Sequence, residues 1–182
     1  MLPAMIRTVF IALSLSACGG REVPILVNAW CDTPREETVL AITDGDTLVL
    51  ESGEEVRLLG IDAPEVYYAG HSECSSPEDS TCCYGEDATS ELERLAPVGS
   101  RVRLEFDLAC EGVYERTLAY LFTVSEEEDS EVFINEWMIE EGFAKVYDED
   151  VGQARDIRYF ERFQDAQAKA QSQQNGLWSV CF

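Results

Sequence analysis

Between Thr38 and Ile61 the sequence leaves no room for a helix. Thr38–Thr43, Thr47–Leu50 and Val56–Ile61 are short β-rich runs. Asp44-Gly45-Asp46 separates the first two and Ser52-Gly53 the next two, and both are tight-turn signals. Parallel strands need a crossover of a dozen or more residues, so this spacing predicts an antiparallel meander.

The rest of the chain supplies fewer strands and more helix. Residues 66–84 read as a polar loop that carries Cys74, Cys82, Cys83 and the lone His71; a loop of that length is usually functional or stapled. Ala88, Leu92 and Leu95 fall at helical spacing, and Pro97 and Gly99 end that helix. Arg101–Phe106 alternates basic and apolar side chains as a half-buried strand does, and Leu118–Val124 is a further strand. Glu126–Asp129 reads as a solvated acidic turn, and Ile134–Glu141 as a short helix closed by Gly142. Between Arg155 and Gln174, Ile157, Phe160, Phe163, Ala166 and Ala170 mark a longer amphipathic helix capped by Asn175-Gly176, with Leu177-Trp178 docking its end on the core. Three strands, a helix, two strands and two helices predict an α+β chain, mainly β: a five-stranded Greek-key barrel of the OB type with about three helices.

The 182 residues suffice for one domain with a single core. A hydrophobic share of 46% is globular composition, although 36 acidic against 13 basic residues give a formal charge of −23. Such a chain repels nucleic acid and anionic membranes at long range, which excludes a generic polyanion binder but not a small local anion site. Only Lys145 and Lys169 are lysines, so anion contacts would fall mainly to arginine forks.

The first residues have the layout of an export signal: Arg7, then the apolar run Val9–Leu15, then small residues. Leu15-Ser16-Ala17-Cys18 resembles the bacterial lipobox, in which the Cys is lipidated. The expected organisation is a lipoprotein signal peptide at 1–17, a tether at 18–36 and one domain at 37–182. Cys18 is then the lipidation site, with anchoring at the bacterial cell envelope and free secretion as the alternative. Export favours disulfides among Cys31, Cys74, Cys82, Cys83, Cys110 and Cys181, and the sequence does not choose the pairing. A zinc site from His71, Cys74, Cys82 and Cys83 is the alternative; its ligand types suit zinc, its spacing matches no familiar module.

Two stretches carry the chemistry. Asp46 begins the second strand and Asp62 ends the third, so pairing through Ser52-Gly53 puts both carboxylates at one sheet edge. Two carboxylates, a backbone carbonyl and waters make a hard oxygen site of the kind Ca²⁺ accepts. Pro64 stiffens the turn that presents Glu65. Arg57 sits an odd offset from Asp62, so simple alternation puts it on the opposite face unless twist or a bulge intervenes.

These motifs, with Tyr114-Glu115-Arg116-Thr117-Leu118-Ala119-Tyr120, Ile134-Asn135-Glu136, Gly142-Phe143-Ala144-Lys145-Val146 and Gly176-Leu177-Trp178-Ser179, resemble the thermonuclease, or staphylococcal nuclease, family over roughly residues 37–182. The resemblance implies an OB-fold and a Ca²⁺-dependent endonuclease that hydrolyses DNA, with RNA as a second substrate, and leaves 3′-phosphate ends. It implies Asp46, Asp62 and the Ala63 carbonyl as metal ligands, with Asp44 behind them. Glu65 matches the general base, Arg57 and Arg116 the groups that grip the scissile phosphate, and Tyr114 and Tyr147 aromatics that contact the nucleotide. The chain departs from the family pattern at Glu115, where Gly is usual, at Val113, where a base is common, and at Ala63, where Thr is common. The cysteine-bearing loop also lengthens a segment near the site.

The partners expected are therefore nucleic acid as substrate, short or single-stranded by preference, and a membrane through the lipid anchor. No protein partner is inferred, and a monomer is expected. Two competing functions are a catalytically silent OB-fold binding module and a disulfide-stapled, Ca²⁺-binding surface lipoprotein. A silent module is expected to lose catalytic carboxylates or arginines, and none is lost.

Overall fold

A computed structural model describes residues 33–66, 83–107, 116–125, 130–147 and 157–182. The meander forms as the turn signals require: β1 (Arg35–Ile42), β2 (Thr47–Leu50) and β3 (Glu55–Leu58) pair antiparallel in order. Its third strand is shorter than the expected run to Ile61. The chain turns at Leu59-Gly60, and β4 (Ile61–Asp62) leaves the barrel to pair with β7 (Lys145–Val146). Gly60 has φ +82°, and a Cβ there would lie 2.4 Å from Ile157 Cδ1 and 2.8 Å from the Phe163 ring. Both the backbone and the packing therefore need glycine at this position.

After α1 (Gly85–Leu95), β5 (Arg101–Glu105) and β6 (Thr117–Thr123) complete a closed five-stranded barrel in the order β1-β2-β3-β6-β5. All its pairs are antiparallel except β3 with β6. The long β1 serves both neighbours: Arg35–Thr38 pairs with β5, and Val39–Ile42 with β2. The register shifts between Val39 and Ala41. Such an irregularity bends a strand round a barrel corner.

Alternation fills the interior. Leu48 and Leu50 on β2, Val56 and Leu58 on β3, and Val102 and Leu104 on β5 are buried and alternate with more open neighbours, except for the buried Thr47 at the start of β2. Each fully buried aliphatic side chain contributes about 1.5–3 kcal/mol. On β6, Ala119, Tyr120, Leu121 and Phe122 are all buried because the outer face is covered as well. Ring contacts of Tyr120 and Phe122 with Phe133, and of Tyr120 with Phe163, supply that cover. These come from α2 (Ile134–Glu140), whose first residue follows Phe133, and α3 (Phe160–Gln173). The last expected helix thus begins later than Arg155; Ile157 precedes it and still packs on the core. A fourth, four-residue helix, α4 (Leu177–Val180), seats Leu177 at 1% exposure, as the expected docking requires.

A disulfide joins Cys83 to Cys181, with Cα atoms 5.8 Å apart. Disulfide bonding removes Cys83 from the zinc alternative; His71, Cys74 and Cys82 lie outside the described residues, as do Cys18, Cys31, Cys110 and the acidic turn Glu126–Asp129. Among the described residues, no helix is long and apolar enough to cross a membrane.

Candidate active site

The site forms at the barrel end where β2 begins and β3 stops. In the Asp44-Gly45-Asp46 turn, the Asp46 N–H donates to Asp44 Oδ1 at 3.1 Å, and the Thr43 N–H donates to the Thr47 carbonyl at 2.9 Å. Asp46 has the same strand parity as Leu48 and Leu50, so its side chain points into the end of the barrel and is 1% exposed. Its Oδ1 accepts from the Thr47 hydroxyl at 3.0 Å and from Arg57 Nη1, and its Oδ2 accepts from the Ala63 N–H at 2.8 Å. One buried carboxylate thus ties together β2, β3 and the segment after β4.

Arg57 Nη2 donates to Asp62 Oδ1 at 3.0 Å, so the guanidinium bridges both acidic residues. Simple alternation is overturned here. The Leu59-Gly60 turn breaks the parity between Arg57 and Asp62 and swings the second carboxylate towards the first. Asn135, fully buried at the start of α2, secures that turn: its Nδ2 donates to the Leu59 carbonyl at 2.9 Å, and its Oδ1 accepts from the Leu121 N–H at 2.8 Å. The sequence placed Asn135 in the Ile134-Asn135-Glu136 element of the resemblance but assigned it no role.

Arg116 immediately precedes β6, with its Nε 3.8 Å from a Glu55 carboxylate oxygen. The parallel register sets Arg57 beside Leu118, and Arg116 lies two residues before Leu118 on β6. The two arginines therefore share the outer face of the barrel, offset by roughly 6–7 Å along the strand direction. Glu65 is half-buried, and its backbone carbonyl lies against the start of α1: a Cβ on Gly85 would stand 2.1 Å from the Glu65 carbonyl oxygen. The Cys83–Cys181 bridge ties the residue two before Gly85 to the chain end, so α1 and the disulfide together fix the Glu65 backbone. Tyr147 follows β7 with its N–H on the Gly60 carbonyl at 3.1 Å and is 36% exposed. Tyr114 and Glu115 lie outside the described residues. Asp46, Asp62, Ala63, Arg57, Glu65 and Tyr147 are thus carried by the strand ends and turns round this one end of the barrel, whereas Arg116 stands beside Glu55 at the start of β3, further along the outer face.

The electrostatics favour a second cation. Burial pushes the Asp46 carboxyl up, to about 8; the Arg57 charge pulls it down, and the Asp44 charge adds to the rise. One guanidinium shared with Asp62 thus leaves the buried carboxylate under-neutralised. Asp62, whose side chain is 41% exposed, opens the same pair to solvent. Among the described residues no three His, Cys, Asp or Glu side chains cluster as a metal site. The donors that the resemblance implies are fewer, Asp46, Asp62 and the Ala63 carbonyl, and all of them are oxygen. That chemistry fits Ca²⁺, which accepts waters in its remaining positions.

A family model described as staphylococcal nuclease homologue matches residues 55–180. The thermonuclease of Staphylococcus hyicus is 30% identical over 146 residues, which is 78% of this chain and 74% of that protein. The thermonuclease of Staphylococcus intermedius is 30% identical over 145 residues, covering 77% of this chain and 74% of its own length. Endonuclease YhcR of Bacillus subtilis (strain 168) is 24% identical over 148 residues, 79% of this chain but only 11% of that protein.

Proposed function

The chain belongs to the staphylococcal nuclease family and is a phosphodiester-hydrolysing nuclease of it, and from that premise we propose that it is a Ca²⁺-dependent endonuclease acting on DNA and RNA and leaving 3′-phosphate ends. The observation that carries this reading is the shared guanidinium of Arg57, which brings a buried and an open carboxylate to the same point.

In this reading Asp46, Asp62 and the Ala63 carbonyl would hold the ion, which would supply positive charge at the site. Arg57 and Arg116 reach the same phosphate from the outer face of the barrel and stabilise the charge that grows on its equatorial oxygens during attack. Glu65 orients a water and takes its proton as the water oxygen bonds to phosphorus. The bond to the 5′-oxygen breaks, that oxygen takes up a proton from solvent, and the phosphate stays on the 3′ side. Tyr114 and Tyr147 contact the nucleotide. The acidic shell disfavours long duplexes, so short or single-stranded substrates are preferred, and binding without Ca²⁺ is weak.

The deciding assay uses the chain from residue 19 on denatured DNA. Cleavage with millimolar Ca²⁺ that stops with EDTA supports the proposal. No cleavage across that range, with Glu65→Gln indistinguishable from the parent, overturns it.

Anchoring is a separate proposal that rests on Leu15-Ser16-Ala17-Cys18. Lipidation of Cys18 would hold a monomeric enzyme at the bacterial cell envelope. Cys18→Ser is expected to release the protein from the membrane fraction or block its processing; unchanged fractionation counts against the anchor and for secretion.

A further inference from the structure

Among the described residues, the basic side chains of this acidic protein are almost all neutralised. From Arg35 to Lys169, the described bases other than Lys145 each stand in an ion pair with a carboxylate. Among the described residues, Lys145 alone has none. That is unexpected in a chain with 36 acidic residues and a formal charge of −23.

Its position makes the exception informative. Lys145 on β7 is the register partner of Asp62 on β4, and Ile61 pairs with Val146. Ile61 and Val146 are buried at 1% and 8% exposure, so the opposite face of this two-stranded ribbon carries Asp62 and Lys145. Directly opposed side chains have Cβ atoms about 4.5–5.5 Å apart. The Asp62 carboxylate is therefore within reach, yet it pairs with Arg57 instead. Tyr147 shares the strand parity of Lys145 and is also open to solvent. A half-buried, uncompensated ammonium thus stands between the candidate metal carboxylate and the candidate nucleotide aromatic.

We propose that Lys145 binds a phosphate of the nucleic-acid substrate next to the scissile one. The proposal rests on the nuclease reading and assigns a substrate contact beyond Arg57 and Arg116. Lysine suits that role. A scissile phosphate must be held in one orientation, which planar forks provide, whereas a flanking phosphate needs only a point charge on a flexible stem. The scarcity of uncompensated positive charge among the described residues leaves few other groups to attract the strand, so one lysine here weighs heavily in substrate capture.

The test compares Lys145→Gln and Lys145→Arg with the parent on two substrates. One is a short single-stranded oligonucleotide; the other is a dinucleoside monophosphate, which has only the scissile phosphate. On the oligonucleotide, Lys145→Gln is expected to raise KM roughly tenfold at a held kcat. The dependence of log(1/KM) on log salt should become shallower by about 0.7, the value for one phosphate on a single strand. Lys145→Arg should restore most of the KM. On the dinucleoside monophosphate, Lys145→Gln and parent should give the same KM. An unchanged KM and salt slope on the oligonucleotide overturns the proposal. An equal loss on both substrates also overturns it, because Lys145 would then act through Asp62 or the scissile phosphate. If the parent cleaves neither substrate with any divalent ion, the nuclease reading itself fails, a result distinct from either of these.

Discussion

Two arginine-rich regions of this protein use the same ion pairs for different ends. On the helical side, Arg103 is bonded to Glu105 and Glu131, and Arg162 to Glu136, while Lys169 reaches Glu140. Arg103 lies 4.1 Å from the Phe122 ring centroid and Arg162 5.2 Å from that of Phe133, so these guanidinium groups also cover the aromatic layer over β6. The side chain of Arg162 is 54% exposed, and water screens its pair. At the barrel end, Arg57 is 17% exposed and its partner Asp46 is 1% exposed. There one guanidinium serves two carboxylates, and burial leaves the inner one poorly compensated. On the helical side the arginines pair with acids that water still reaches, and the charges are spent on packing. Where the arginine shares a buried acid, as Arg57 shares Asp46, capacity for a further cation and for a phosphate is kept.

The sharpest way to break this contrast is to truncate an arginine in each region. Arg57→Ala is expected to lower kcat by about 10²–10³, the loss typical when one preorganised charge is removed from a developing anion. It also strands the Asp46 carboxylate in the barrel end, so the metal-free protein should lose stability as well. Arg162→Ala should leave kcat unchanged within error. Steady-state kinetics on denatured DNA checks both, and an equal loss of kcat in the two variants would erase the distinction between the regions.

The barrel was legible because its determinants are local. Turn residues at Asp44-Gly45-Asp46 and Ser52-Gly53 bound runs too short for helices, and alternation on β5 separates Val102 and Leu104 from Arg101 and Arg103. The site was legible in residue type but not in geometry. Alternation carried from Arg57 to Asp62 gives the wrong face, because it assumes one strand where Gly60 makes a turn. That turn depends on Ile157 and Phe163 pressing on Gly60 and on Asn135 holding the Leu59 carbonyl, contacts from residues 76 to 103 positions away in sequence. Helix spacing likewise places Ile157 on α3, whereas it packs ahead of the helix. Lys145 was visible in sequence only as one of two lysines and as part of the Gly142–Val146 element; the β4–β7 register puts it opposite Asp62.

A second contrast lies in the pH dependence of the metal-free protein. The Asp46 carboxyl is raised in the folded state from an ordinary value of 3.8 to about 8. The folded protein therefore binds this proton more tightly than the unfolded chain. Between those two values the folded state holds more protons, so this group's contribution to stability falls as pH rises. In EDTA, the Tm of the parent should decline from pH 5 to pH 8, and Asp46→Asn should lack that component. Ca²⁺ competes with the proton for the same carboxylate, so its stabilising effect should be greater at pH 8 than at pH 5. A Tm profile identical in parent and Asp46→Asn would mean that the barrel-end carboxylate is as well compensated as the surface pairs.

The smallest effect is expected on the helical side, and it tests whether that region is the ordinary surface its exposure implies. A double-mutant cycle on Arg162→Gln and Glu136→Gln measures their coupling apart from what each does alone. Both side chains are solvent-accessible, at 54% and 20% exposure, so the coupling should be about 0.2–1 kcal/mol and shrink as salt is raised. Loss of the Arg162 contact with Phe133 is carried by the single variant and cancels in the cycle. A coupling that exceeds about 2 kcal/mol and persists in high salt would put Arg162 in the same class as Arg57. Burial of the partner acid, rather than pairing in itself, would then no longer separate the site from the surface.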